Sequence, residues 1–290
     1  MTDRGPNRIV CLTEETTEWL YLLGQEHKIV GISGYTVRPA RARHEKPRIS
    51  AFTSAKIDKI LALEPDCVFG FSDLQADIAA SLIRAGVQVT IFNQRSVAQI
   101  LSMMTQVAAI VGQAERGAIL IDQITASMQA IATRANAMDQ AGIARPIVFF
   151  EEWDNPPISA IGWVSELIGV AGGIDCFAEL GKKSLGRDRI IADSAEIVAR
   201  NPDIIIGSWC GKKFRPDAVM ARAGWRGVSA VNDQQIFEIK SPDILQPGPA
   251  ALGDGLQQLH EIVQRWRNHF GIEAARREPR YDRRTEPNNR

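Results

Sequence analysis

The sequence predicts an α/β fold of two Rossmann-like lobes, each built on a parallel sheet and joined by one long helix. Three observations support it: strands and helices alternate in the first half, one long amphipathic pattern divides the chain, and the alternation then restarts. We delimit an N-terminal lobe at 8–112, a linking helix at 113–142, a C-terminal lobe at 143–270 and a disordered tail at 271–290.

The first lobe alternates short apolar runs, which predict buried strands, with amphipathic segments, which predict helices. Pro65 ends one helix, because the residue before a proline disfavours the α conformation, and Gly86 closes another. The predicted strands are 8–12, 28–32, 67–71 and 88–92, and the predicted helices are 16–23, 57–63 and 74–85.

The linking helix is predicted from apolar residues spaced three and four apart, which form one face of a helix. No glycine or proline interrupts the pattern after Gly117. We interpret it as a rigid strut between two lobes, with an outer helix of a single sheet as the alternative. The apolar face consists of Leu120, Ile124, Met128, Ile131, Ala135 and Met138.

The two halves also share an internal repeat. In each half a helix runs into Pro-Asp and then an apolar strand, CVFG in the first and IIIG in the second. This arrangement favours two similar lobes over one sheet. The repeated residues, each displaced by 137 positions, are Ile60, Ala62, Pro65, Asp66 and Gly70, recurring at Ile197, Ala199, Pro202, Asp203 and Gly207.

Charge and hydropathy exclude two classes of partner, nucleic acids and membranes. Lysine plus arginine (34) equals aspartate plus glutamate (34), so the chain lacks the basic excess typical of proteins that bind nucleic acid or anionic membranes. No apolar run approaches 18 residues, and the start of the chain has no leader-like apolar region. We therefore expect neither a nucleic-acid partner nor membrane insertion. The chain is also expected to be a monomer, although charge and hydropathy do not bear on this. The sequence as written predicts the cytoplasm, and the periplasm if a leader is missing.

Catalytic and metal-binding motifs are absent from the sequence. It contains no GxSxG, GxxxxGKS/T, HExxH or post-strand GxGxxG, and neither its four histidines nor its four cysteines have metal-ligand spacing. Glu151 and Glu152 follow a buried strand, but neighbouring strand residues point to opposite faces. We predict a protein that is not an enzyme and has no protein-bound metal.

Aromatic residues carry the main functional signal. They fall just past strand ends or in glycine-rich loops, where parallel sheets bind ligands. Several aromatic side chains there indicate a cleft for a broad, flat, partly apolar ligand. The alternative for any one of them is an ordinary core residue. They are Tyr35, Phe52, Phe71, Trp153, Trp163 and Trp209.

Four segments resemble the helix-linked, class III substrate-binding proteins of ABC importers, and among them the vitamin B12-binding branch. They are RIVCLTEETTEWLYLLGQEHKIVGISGY, KIDKILALEPDCVFG, EWDNPPISAIGWVSELIGVAGGID and QIFEIKSPDILQPGPAALGDGLQQL. The resemblance implies non-enzymatic binding of cobalamin between the lobes. It implies that Tyr35, Phe52 and Phe71 line one wall and that Trp163, Trp209 and Asp243 lie in the facing loops.

The same resemblance implies docking on an ABC-importer permease through one acid per lobe, seven residues before each Pro-Asp. In the first lobe this residue is Asp58. In the second lobe the position holds Ala195, with Glu196 alongside. The family pattern also includes a secretion leader and often tryptophan where this chain has Phe52 and Phe71.

Three functions follow as expectations. The first is binding of cobalamin or a related corrinoid for uptake or intracellular handling, with coordination of its cobalt by Cys210 left open. The second is an iron–siderophore or haem ligand. The third is a cytoplasmic corrinoid chaperone or enzyme on a borrowed fold. An anionic siderophore would call for the basic residues Lys182, Lys183, Arg187, Arg189, Lys212, Lys213 and Arg215.

Overall fold

Two β-sheets, one in each lobe, organise the computed structural model, which describes residues 5–276. The first sheet is entirely parallel, with the strand order β3-β2-β1-β4-β5. Its strands are β1 (Ile9–Cys11), β2 (Ile29–Ser33), β3 (Arg48–Ser50), β4 (Cys67–Phe71) and β5 (Gln88–Phe92).

The second sheet has the order β10-β9-β6-β7, with β8 also paired to β6. Its pairs are parallel except β6 and β7, which are antiparallel. Its strands are β6 (Ile147–Asp154), β7 (Pro157–Ser159), β8 (Ile174–Asp175), β9 (Ile204–Gly207) and β10 (Ile236–Glu238).

Helices cover both sheets, and a π-helical turn, Ala251–Gly255, leads into the last of them. In the first half they are α1 (Glu14–Leu22), α2 (Ala42–Glu45), α3 (Ile57–Leu61), α4 (Ala76–Arg84), α5 (Val97–Ile110) and α6 (Ala114–Gln140). In the second half they are α7 (Gly162–Ala171), α8 (Ala178–Gly181), α9 (Ala195–Arg200), α10 (Pro216–Met220), α11 (Ser229–Asn232), α12 (Ser241–Ile244) and α13 (Leu256–Ala274). Short 3-10 turns are Glu26–Lys28, Asp73–Gln75, Gly186–Arg189 and Trp225–Gly227.

The two-lobe α/β prediction is confirmed, and β4 and β5 have the predicted bounds. The short strand β3 and the helix α5 were not predicted. Helix α13 continues to Ala274, into the predicted tail, because Gly271 packs on Ile143 and its carbonyl accepts the backbone N–H of Ala144. The rest of that tail, 277–290, lies outside the described residues.

Helix α6 is the predicted long helix. Its 27 residues span about 40 Å at 1.5 Å per residue. It packs against α5 in the first lobe and against α7 in the second. A Cβ on Gly117 would overlap Ala108 of α5, so glycine permits this close helix contact.

One hydrophobic core crosses from lobe to lobe. Cys11 and Phe69 in the first lobe, and Phe150 and Val164 in the second, belong to the same continuous cluster. Each sheet also packs its other face on a smaller cluster of its own. Because close-packed interiors resist deformation, this shared core restrains relative motion of the lobes.

The internal repeat is structural as well as sequential. The carboxylate of Asp66 accepts the backbone N–H groups of Asn7 and Arg8 at 2.8 and 3.0 Å, just before β1. The carboxylate of Asp203 accepts the N–H of Ile147, the first residue of β6, at 2.9 Å. Each aspartate thus fixes the start of the neighbouring central strand, which explains why Pro-Asp recurs in both lobes.

Candidate functional site

A cleft of about 690 Å³ lies between the lobes, past the carboxyl ends of the sheet strands. Residues from both lobes line it, and its size falls in the usual range for small-molecule sites. Four of the predicted aromatic residues are among them: Tyr35, Phe52, Phe71 and Trp163.

Phe52 and Phe71 form an aromatic wall on the first lobe, with ring centroids 6.4 Å apart. The buried side chain of Gln75 positions both. Its Oε1 accepts the N–H of Phe71 at 2.9 Å, and its Nε2 donates to the carbonyl of Phe52 at 2.8 Å. Gln75 could not be identified from the sequence, because a glutamine after a strand gives no periodic signal.

Trp163 and Tyr35 occupy contrasting places in the cleft. Trp163 is buried at the start of α7, and its Nε1 donates to the carbonyl of Ile244 at 2.9 Å. Tyr35 follows β2 and is 59% exposed, so its ring stands at the cleft mouth. A rigid wall and a solvated rim suit a ligand that is apolar on one side and polar at its edge.

The other predicted ligand residues, Trp153, Trp209 and Asp243, are not among the described residues that line the cleft. Trp209 is buried, packs on Phe214 with ring centroids 4.8 Å apart, and donates its Nε1 to Glu151 at 3.0 Å.

Asp243 accepts a hydrogen bond from Arg38 instead. Lys212 pairs with Asp154 and lies over the Trp153 ring, with its Nζ 5.5 Å from the ring centroid. Trp209 follows the end of β9 as predicted, but its side chain turns into the second lobe. Trp153 lies within β6 rather than past its end.

The two adjacent glutamates of β6 diverge as strand alternation predicts. Glu151 is fully buried inside the second lobe, where both Nη atoms of Arg222 donate to it at 2.6 and 3.0 Å. Glu152 lines the cleft and pairs with Arg189 at 2.7 Å. The cleft therefore has a charged part beside its aromatic wall.

A second charged part of the lining comes from Glu14, at the start of α1. Burial raises the pKa of Glu14. Burial also raises the pKa of its neighbour Glu15, to about 8, with a smaller contribution from the charge of Glu14. Cys210 lines the cleft too, and burial raises the pKa of its thiol, which disfavours the thiolate form.

The predicted docking acids lie on the surface. Asp58 is exposed on α3, and Glu196 is exposed on α9 beside Ala195. Because α3 and α9 are the repeated helices, displaced by 137 positions, the equivalent of Asp58 is Ala195, and Glu196 is the next residue along the chain.

Within residues 5–276, no three or more His, Cys, Asp or Glu side chains are grouped so that they could hold a metal ion. In the same residues, no helix is both long and apolar enough to cross a membrane.

Comparison with known proteins identifies a family and several relatives with similar sequences. The model of the family described as periplasmic binding protein matches residues 9–242. An uncharacterized ABC transporter substrate-binding lipoprotein of Bacillus subtilis is 23% identical over 271 residues, covering 90% of this chain and 81% of that protein. The vitamin B12-binding protein of Vibrio cholerae is 23% identical over 256 residues, covering 87% of each chain.

A solved structure of a periplasmic haem-binding protein from Pseudomonas aeruginosa superimposes with a TM-score of 0.75 at 19% identity, covering 89% of this chain and 92% of that one. At this identity the likeness concerns the fold. The family and these relatives are binding proteins rather than enzymes. With two α/β lobes, a long linking helix and a family match across most of its length, the chain belongs to the periplasmic binding protein family.

Proposed function

We propose that this protein binds a tetrapyrrole metal chelate, cobalamin or a related corrinoid, in the cleft between its lobes. The aromatic wall formed by Phe52 and Phe71, with Trp163 across the same cleft, is the observation that carries the proposal. Flat aromatic faces bury a broad macrocycle without requiring a matched hydrogen-bond donor for each of its atoms.

The sequence relatives favour a corrinoid, since the Vibrio cholerae protein is named for vitamin B12. Haem is the second candidate, because the haem-binding structure has the same fold at similar identity. Tyr35 supports this alternative, since its hydroxyl stands at the cleft mouth, where it is available to a ligand metal or to a polar substituent.

The shared core and the linking helix bear on how the ligand is held. With one continuous core running between the lobes, the cleft is largely preformed, and affinity does not depend on a wide closure. We propose that one chain binds one chelate and hands it to an ABC-importer permease that contacts Asp58 and Glu196. The substitutions Asp58→Asn and Glu196→Gln remove the negative charges. They should reduce transfer of the chelate to the permease and leave chelate binding intact.

The test of ligand class is direct. The purified chain is mixed in parallel with hydroxocobalamin and with haemin, desalted, and examined by visible spectroscopy. A one-to-one corrinoid spectrum in the protein fraction supports the proposal, and retention of haemin alone supports the second candidate. A colourless protein fraction in both mixtures contradicts both.

A further inference from the structure

The cleft holds an arginine that the aromatic site does not use. Arg95 lies between β5 and α5 in the first lobe, lines the cleft, and is 16% exposed. Its guanidinium carbon stands 4.5 Å from the centroid of the Phe71 ring. Its backbone N–H donates to the Oε1 of Gln99 at 2.7 Å. The cation is therefore held at the aromatic wall, where a bound macrocycle would present its edge.

The charge of Arg95 is poorly compensated. Its Nη2 donates to the hydroxyl of Ser72 at 3.1 Å, and its Nη1 makes a long bond of 3.4 Å to the carbonyl of Gln94. The carboxylate paired with it in the described structure, that of Asp73, is 3.9 Å away and mostly exposed. Its Nε is buried and has no acceptor among residues 5–276. A buried donor without an acceptor costs free energy. Each Nη atom makes one hydrogen bond, so the guanidinium retains further N–H groups that a ligand oxygen in the cleft could accept.

A second arginine reaches the same cleft from the other lobe. Arg189 is 1% exposed, and its Nη1 donates to Glu152 and to the carbonyl of Ser159. Its Nε is also without an acceptor in the described part of the chain. Both arginines line the same cleft. Burial lowers the pKa of Arg95, and the positive charge of Arg189 lowers it further, against opposing contributions from Asp73 and Glu152.

Acidic groups only partly offset this pair. Glu152 is committed to Arg189 by the 2.7 Å contact. Glu14, the other acid of the lining, has its pKa raised by burial, which weakens its hold on negative charge. An anion in the cleft would offset the positive charge of the two arginines and accept hydrogen bonds from the unused Nη groups of Arg95. Guanidinium groups bind carboxylates and phosphates well, because their donors match the geometry of the two oxygens.

We propose that Arg95, supported by Arg189, forms an anion subsite that binds a carboxylate or phosphate group at the edge of the chelate. This inference rests on the proposed function, since the macrocycle must occupy the aromatic wall for its edge to reach Arg95. It adds a ligand class: the protein selects tetrapyrroles that carry an anionic substituent over those with the same macrocycle that lack it.

Matched ligands test the selection. Haemin is compared with its dimethyl ester for carboxylate recognition, and hydroxocobalamin with cobinamide, which lacks the phosphate and nucleotide, for phosphate recognition. We expect the wild-type chain to bind the anionic member of at least one pair about 10–100-fold more tightly, the range of a charge-assisted hydrogen bond. The pair whose preference is lost in Arg95→Gln identifies the source of the anion.

Variants assign the preference to Arg95. Arg95→Gln should remove the preference by weakening binding of the anionic ligand alone. Added salt should weaken binding of that ligand by the wild type more than binding by the variant. Arg187→Gln is the matched control, because Arg187 is 76% exposed, lies outside the cleft lining and changes net charge equally. Thermal unfolding of each variant checks that the fold is retained.

The results distinguish failure of the anion subsite from failure of the proposed function. Equal wild-type affinity for both members of both pairs, or a preference that survives in Arg95→Gln, overturns the anion subsite and leaves the chelate cleft standing. Binding of none of the four ligands overturns the proposed function and the subsite together.

Discussion

Arg38 in the first lobe donates a hydrogen bond to Asp243 in the second, with Nη1 and Oδ1 3.0 Å apart. The same guanidinium also contacts Glu18 in its own lobe at 2.8 Å and Asp254 at 2.6 Å. Gln258 donates to the other oxygen of Asp243 at 3.2 Å. Arg38 thus connects the two lobes through charged hydrogen bonds. It also pairs with the carboxylate of Asp243, which the sequence had predicted to contact the ligand.

Loss of this connection should destabilise the protein. Arg38→Gln leaves the mostly buried carboxylate of Glu18 without its cation, and we expect the free energy of unfolding to fall by about 1–3 kcal/mol. Urea unfolding measures the change. The control is Arg41→Gln, whose exposed pairs with Glu26 and Glu45 stay within one lobe and should matter little. Equal effects of the two variants would contradict an interlobe role for Arg38.

A second prediction concerns the contact between α7 and the first lobe. A Cβ on Gly162 would overlap the carbonyl oxygen of Arg95, so Gly162→Ala must push the lobes apart. We expect a loss of about 1–3 kcal/mol in unfolding free energy, typical of overpacking. Gly169, on the same helix, has open space around its Cβ position, and Gly169→Ala should stabilise by about 0.5–1 kcal/mol. Thermal unfolding distinguishes them, and a harmless Gly162→Ala would rule out the tight contact.

A third prediction follows from Glu15. Its pKa is raised to about 8 by burial, against roughly 4.3 in an unfolded chain. The folded state therefore binds more protons than the unfolded state between these values, and stability must fall as pH rises from about 4.5 to 8. Denaturant midpoints measured from pH 5 to pH 9 should show this decline.

The variant Glu15→Gln isolates that contribution. It removes the titrating group, so its stability should decline less steeply with pH than that of the wild type. Burial also raises the pKa of Asp175, to about 6, which leaves a smaller slope of the same sign. Glu196→Gln, a change on the exposed face of α9, should follow the wild-type curve. Parallel curves for Glu15→Gln and the wild type would contradict the assignment.

A fourth prediction separates cleft aromatics from the others. Phe52→Ala removes half of the aromatic wall, and we expect it to weaken chelate binding about tenfold or more. Trp153→Ala, outside the cleft lining, should leave affinity unchanged. Titration of both variants with hydroxocobalamin gives the comparison. A larger loss of affinity in Trp153→Ala than in Phe52→Ala would contradict binding in the cleft and indicate a binding surface near Trp153.

The sequence predicts the position of some cleft side chains but not of others. Phe52 and Phe71 could be placed in the cleft, because strand ends in a parallel sheet share one edge. Trp209 occupies the same kind of position, yet its indole is drawn inward by Phe214 and by the buried acceptor Glu151. A strand end fixes where the backbone stops, and local partners decide where the side chain points.

Long-range pairs were beyond the sequence for a related reason. Arg38 and Asp243 are 205 residues apart, and neither lies in a periodic pattern that would reveal the other. Arg95 looks like an ordinary residue of a polar loop until the fold places Phe71 beneath it and Arg189 in the same cleft. Helix α6, by contrast, was predictable nearly to its ends, because its pattern is local and long.

The most direct test of the central claim is a crystal structure of the chain grown with hydroxocobalamin. We expect a corrin ring in the cleft between the lobes, with one face against Phe52 and Phe71 and its edge toward Arg95. A corrinoid bound elsewhere on the surface, with the cleft left empty, would contradict it.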